Sequence, residues 1–124
     1  MKASFVWSDN PVEIDLDQRV IIVENNHEKM ALMYMPGYDG IVMIRISGTE
    51  HPVWGWNGDV FAPTFSPSIL TRQFQGPDCV EMVNHVFVRC GSVEFLRDCT
   101  HSLAGKTIPL PKLCEWPEAD RLWD

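Results

Sequence analysis

With 124 residues the chain has the length of one domain whose core needs no covalent staples. A formal charge of −7, from ten scattered Lys and Arg against seventeen Asp and Glu, excludes the basic track of a nucleic-acid binder. Nine Pro, eight Gly and five Trp favour turns, short strands and irregular loops over a helical bundle.

The first residues, Met1-Lys-Ala-Ser-Phe-Val-Trp-Ser-Asp-Asn10, lack the apolar stretch of a secretion signal, and no apolar run approaches a membrane span. The expectation is a cytoplasmic protein with no membrane or nucleic-acid partner. Its four cysteines would then stay reduced. They stand at positions 79, 90, 99 and 114 without a Cys-x-x-Cys pair, so they read as buried or partly buried free thiols.

Taken in order, Asp9-Asn10-Pro11 is turn-like, and Glu13, Asp15 and Asp17 alternate with Ile14 and Leu16, which fits an exposed edge strand or extended arm. The β-branched run Arg19–Glu24 predicts a buried strand. Asn25-Asn26-His27 is a turn, and the run Lys29–Met35 ends at Pro36-Gly37. Gly40–Ser47 is the clearest strand of the first half. Residues 52–70 contain three prolines, two Trp and two Phe, which predicts a loop with little regular structure packed back on the domain. Pro63 and Pro67 restrict φ there and would hold Thr64, Ser66 and Ser68 rigidly. A short helical turn is predicted near 117–122. The fold class is mainly β (α+β possible): one compact domain, 1–124, of at least six short antiparallel strands and a Pro/Gly/Trp-rich loop.

The most informative stretch is His85–His101. Val86, Val88, Val93 and Phe95 alternate as half-buried strands do, and Cys90-Gly91 between them suits a two-residue hairpin turn. That turn pairs Arg89 with Ser92 and sets His85 opposite Leu96. Asp98 then falls two residues further along the strand, diagonal to His85 on one face, where Cα atoms are about 7–8 Å apart. A bulge at Gly91 would invert the register and separate them.

Those residues admit several chemistries. A serine hydrolase would take Ser66 or Ser68 as nucleophile, His85 or His101 as base and Asp98 as the orienting carboxylate. Ser68 is preferred slightly because it leads into the next strand, Ile69-Leu70. The bland alternative is that these serines cap turns. His85, Asp98 and His101 would also suit zinc or another divalent ion. Cys99, adjacent to Asp98, would point to the opposite face and reads as core. A module that binds protein through Trp54, Trp56, Phe61 and Phe65, without catalysis, is a further class. His27 and His51 read as surface residues.

Trp54-Gly-Trp-Asn-Gly58, Pro63-Thr-Phe-Ser-Pro-Ser-Ile69, His85-x-Phe-Val88, Gly91, Asp98-Cys-Thr-His-Ser-Leu-Ala-Gly105 and Leu110-Pro111 form, in this order, a pattern that resembles the BubE family. That family is widespread in phages and bacteria, was formerly a domain of unknown function, and is often mislabelled ammonia monooxygenase. The similarity runs from near Met35 to Pro111. It implies a serine-protease-like peptidase of bacterial ubiquitin-like pathways, cleaving a peptide or ester/thioester bond without a cofactor. The partner implied is a protein or peptide substrate, such as a ubiquitin-like tail. Two departures stand out. Relatives often carry Cys-Pro-x-Cys where this chain has Met35-Pro36-Gly37-Tyr38, and many carry Cys where it has Asn84. Both departures weaken a zinc site and leave the Ser, His and Asp set intact.

Overall fold

The computed structural model describes residues 1–117 as eleven strands and one 3₁₀ turn. The strands are β1 Lys2–Trp7, β2 Asn10–Asp15, β3 Ile21–Asn25, β4 Glu28–Met35, β5 Gly40–Ser47, β6 Gly55–Trp56, β7 Phe65–Ser66, β8 Ile69–Gln75, β9 Val80–Arg89, β10 Ser92–Phe95 and β11 Thr107–Pro109. All pairings are antiparallel.

Alternation along β4 explains the layering. Ala31, Met33 and Met35 point to one face and pack with Val42 and Ile44 of β5 against Ile69, Val86, Val88, Val93 and Phe95. Met30, Leu32 and Tyr34 point to the other face and pack with Ile21, Val23 and the β1–β2 ribbon. The three-stranded sheet β3-β4-β5 is therefore covered on one side by the four-stranded sheet β11-β10-β9-β8. Its other side carries the ribbon, with Leu113 and Trp116 near the 3₁₀ turn Leu113–Glu115. Burying a side chain such as Phe95 or Met33 contributes about 1.5–3 kcal/mol, so the two clusters dominate the favourable side of folding.

The fold is mainly β, as the sequence predicts, and three local expectations need correction. Residues 52–70 are not devoid of regular structure: Gly55–Trp56 pairs with Phe65–Ser66 as a miniature hairpin. The Asn57 side-chain amide ties it together, its Oδ1 accepting the N–H groups of Asp59 and Thr64. The four thiols are free, but only Cys99 is buried, while Cys79, Cys90 and Cys114 are exposed. Cys79 and Cys90 take left-handed turn conformations (φ 51° and 48°) at hairpin tips, where no core is within reach. Phe61 is half-exposed rather than packed back on the domain with the rest of its loop. The helical turn expected near 117–122 lies almost wholly outside the described residues. Among those residues no helix is long and apolar enough to cross a membrane.

Candidate active site

The β9–β10 hairpin adopts the register its sequence predicts. Arg89 pairs with Ser92 and Val86 with Phe95, and the Leu96 N–H donates to the His85 carbonyl at 2.9 Å. Cys90 and Gly91 both have positive φ (48° and 79°), as a two-residue turn of this hand requires. No bulge interrupts it. Asp98 departs from the expectation in one respect, since β10 stops at Phe95 and Asp98 stands in a turn closed by Cys99 N–H to Leu96 C=O. The backbone stays beside β9 nonetheless, because the Thr100 N–H donates to the Val83 carbonyl at 3.1 Å.

From that turn the Asp98 Oδ2 meets the His85 Nδ1 at 2.9 Å. On the other side of the ring, the His85 Nε2 lies 2.9 Å from the Ser68 Oγ. The register explains the second contact. Leu70 of β8 is directly opposite His85, so Ser68, two residues earlier, shares its face and is diagonal to it. Ser68, His85 and Asp98 thus line up across three neighbouring chain segments on the outer face of the four-stranded sheet.

Ser68 is fixed by the Pro-rich loop and by the hairpin turn. The Gly91 N–H donates to the Pro63 carbonyl and the Cys90 N–H to the Thr64 Oγ1, at 2.9 and 2.8 Å. The Arg19 side chain donates to the carbonyls of Phe61 and Leu110, clamping the loop to the segment after β11. The Trp54 indole N–H donates to the Ser68 carbonyl at 3.2 Å. Loop and hairpin are therefore one hydrogen-bonded unit, and the Ser68–His85 distance is set by it.

The carboxylate at Nδ1 decides the chemistry of the ring. An ionised Asp98 can only accept, so Nδ1 carries the proton and Nε2 accepts from the Ser68 hydroxyl. A serine polarised in this way is a group that can attack an electrophilic carbon. His85 is mostly shielded, with a side-chain exposure of 25%, whereas Asp98 is open to water at 57%.

His101 belongs to a different environment. Its Nδ1 accepts the Leu103 N–H at 3.2 Å, leaving Nε2 to donate to the Asn84 Oδ1 at 2.6 Å. Its ring sits edge-on against Phe95, centroids 5.2 Å apart. Asn84 points into the core while its neighbour His85 points out, so the two histidines are served from opposite faces of β9. His85, Asp98 and His101 are not brought together, and among the described residues no three His, Cys, Asp or Glu side chains are grouped to hold a metal. Ser66 is exposed on β7 and bonds to neither histidine, the Pro67 between it and Ser68 having ended one strand before the next begins. Cys99 is buried, its sulfur 3.3 Å from both the N and the O of His85.

Gly37, Tyr38, Asn84 and His101 lie around one small recess. A Cβ on Gly37 would be 2.4 Å from the His101 Nε2. Two of the positions at which this chain departs from the Cys-Pro-x-Cys and Cys pattern, Tyr38 and Asn84, thus line the same recess as His101. Trp54, Arg19 and Thr64 were not predicted as positioning residues; their signal, a Trp or Thr beside the serine loop, is indistinguishable in sequence from ordinary packing. A surface cavity of about 240 Å³ around Asn25–Glu28 and Thr49–Glu50 includes none of Ser68, His85 or Asp98.

Fold and site together define a small, mainly β protein carrying a hydrogen-bonded serine, histidine and aspartate. The chain belongs to the BubE family, described as bacterial ubiquitination-like system serine protease, whose model matches residues 6–96. No curated protein and no solved structure matches it.

Proposed function

We propose that the chain is a serine hydrolase acting through Ser68, His85 and Asp98 on a peptide, ester or thioester bond of a protein substrate, such as the tail of a ubiquitin-like protein. The observation that carries this reading is the 2.9 Å contact at each nitrogen of the His85 ring, serine on one side and carboxylate on the other. Membership in a family of that description supports it.

In the proposed reaction the Ser68 Oγ bonds to the substrate carbonyl carbon while its proton passes to the His85 Nε2. The carbonyl electron pair moves to oxygen. When it returns, the bond to the leaving group breaks, and His85 delivers the proton to the departing nitrogen, oxygen or sulfur. Water, deprotonated by the same imidazole, then releases the acyl group from Ser68 and restores the hydroxyl. Asp98 stabilises the imidazolium formed in between. Backbone N–H groups of the 66–69 loop would face the oxyanion, Pro67 supplying none.

The test is labelling by a fluorophosphonate, read by intact mass. One adduct is expected, lost in Ser68→Ala and retained in Ser66→Ala. An unlabelled wild type that circular dichroism shows to be folded, or an adduct that survives in Ser68→Ala, would refute the assignment.

A further inference from the structure

We infer that the free edge of β8 holds the acyl side of an extended peptide substrate, antiparallel to β8, delivering its scissile carbonyl to Ser68. This rests on the serine hydrolase reading above. β8 is the terminal strand of its sheet, with β9 on one side and no strand on the other among the described residues. The direction of its outer backbone groups follows from His85. The His85 N–H and C=O are turned toward the 96–99 segment, where they meet the Cys99 sulfur and the Leu96 N–H. They therefore do not bond Leu70, which stands opposite. The N–H and C=O of Leu70 consequently point away from β9. By the period of two so do those of Arg72 and Phe74.

Such a row of donors and acceptors, spaced as in a strand, is complementary to an extended backbone rather than to a helix or a small molecule. Its side chains add a pattern. Leu70 and Phe74 are exposed, Phe74 at 66%, with Arg72 between them on the same face. The occupant that fits has apolar residues opposite Leu70 and Phe74 and no cation opposite Arg72.

Polarity decides which part of the substrate lies there. β8 runs away from Ser68, so an antiparallel peptide runs toward it and arrives with its carbonyl end at the Oγ. The residues preceding the scissile bond then occupy the edge, and the leaving group lies beyond Ser68, past the strand's beginning. A parallel peptide would place the leaving side on β8 instead. The antiparallel arrangement alternates directly with β8 and continues the all-antiparallel sheet.

The experiment uses diphenyl phosphonates of aminomethylphosphonate, the glycine analogue, extended by one to five residues on the amino side. The rate of Ser68 phosphonylation is followed by mass. The rate is expected to rise about tenfold between the shortest and the four-residue probe, the effect of one or two hydrogen bonds. N-methylation of the probe amide opposite Arg72 should abolish the rise. So should Arg72→Pro, which removes an N–H from an edge position where proline is tolerated. Equal rates at all lengths, with Ser68 still labelled by a simple fluorophosphonate, would overturn the edge proposal and leave the hydrolase reading standing. A length effect that survives both N-methylation and Arg72→Pro would also overturn it. Failure of every reagent to label Ser68 would remove the hydrolase reading itself.

Discussion

Leu70 stands directly opposite His85, and this pairing, to which Leu70 brings no polar side chain, is what brings the imidazole to Ser68. Two residues along β8 and one strand across is the diagonal step at which long side chains meet on a sheet. The same step on the hairpin's other side, measured from Leu96, reaches Asp98. A constellation of this kind depends on register together with the loop and turn that carry Ser68 and Asp98.

Asp98→Asn separates catalysis from stability. Asp98 is more than half exposed, so water competes for its hydrogen bond and its orienting effect is smaller than that of a buried triad acid. The expected loss in Ser68 acylation rate is about 10²–10³-fold, below the ~10⁴ of a buried aspartate. Unfolding stability in urea should change by less than ~1 kcal/mol. A loss of stability of several kcal/mol with little change in rate would assign Asp98 a structural role.

His101→Ala is expected to do the reverse. It strips the Asn84 Oδ1 of its 2.6 Å partner inside the core and leaves it the Cys99 thiol at 4.0 Å, where Asn84 is 3% exposed and its Nδ2 already has no partner. Leaving a buried acceptor with only a weak thiol donor costs up to about 1–3 kcal/mol. Ser68 labelling of the folded variant should stay within about threefold of wild type, a change of under ~0.7 kcal/mol. Abolished labelling in a folded His101→Ala protein would return His101 to the site.

Gly91→Ala tests the link between hairpin and loop. The residue has φ +79°, and a Cβ there would stand 3.2 Å from the Ala62 Cα, a backbone atom that cannot rotate away. The left-handed conformation alone costs an alanine about 1–2 kcal/mol. Because the Gly91 N–H also holds Pro63, the serine loop should shift with it, and denaturant midpoint and labelling rate should fall together.

Acid should act on the β1–β2 ribbon through Asp15. The Asp17 N–H holds the Asp15 carboxyl below the ordinary aspartate range, with the amino terminus and Lys2 adding to the effect. A depressed folded value means that the stabilisation is present above the unfolded value and lost as pH falls through the folded one. Asp15→Asn should flatten that acid limb, followed by Trp7 fluorescence. An unchanged limb would show that another carboxylate governs it.

The hairpin was legible because its turn residues, its alternation and its pairing distance all agree locally. Ser68 was legible only as one of two serines, since Ser66 and Ser68 have the same spacing parity. What separates them is Pro67, which ends β7 and lets β8 begin a new pairing. The fate of His101 was not legible, because it depends on which face of β9 Asn84 takes and on the approach of Gly37 from a distant turn. The miniature β6–β7 hairpin was missed because two-residue strands are too short to show a period. The thiols were misread because burial tendency yields to turn position at Cys79 and Cys90.

The ribbon β1–β2 and its own apolar cluster lie behind β3-β4-β5 and contribute no residue to the serine site. Durability and chemistry are thereby written in different parts of the chain. Repacking Ile14, Leu32 or Trp116 should raise or lower the melting temperature while Ser68, His85 and Asp98 keep their spacing. The back layer is ballast that can be trimmed or added to without retuning the instrument mounted on the front.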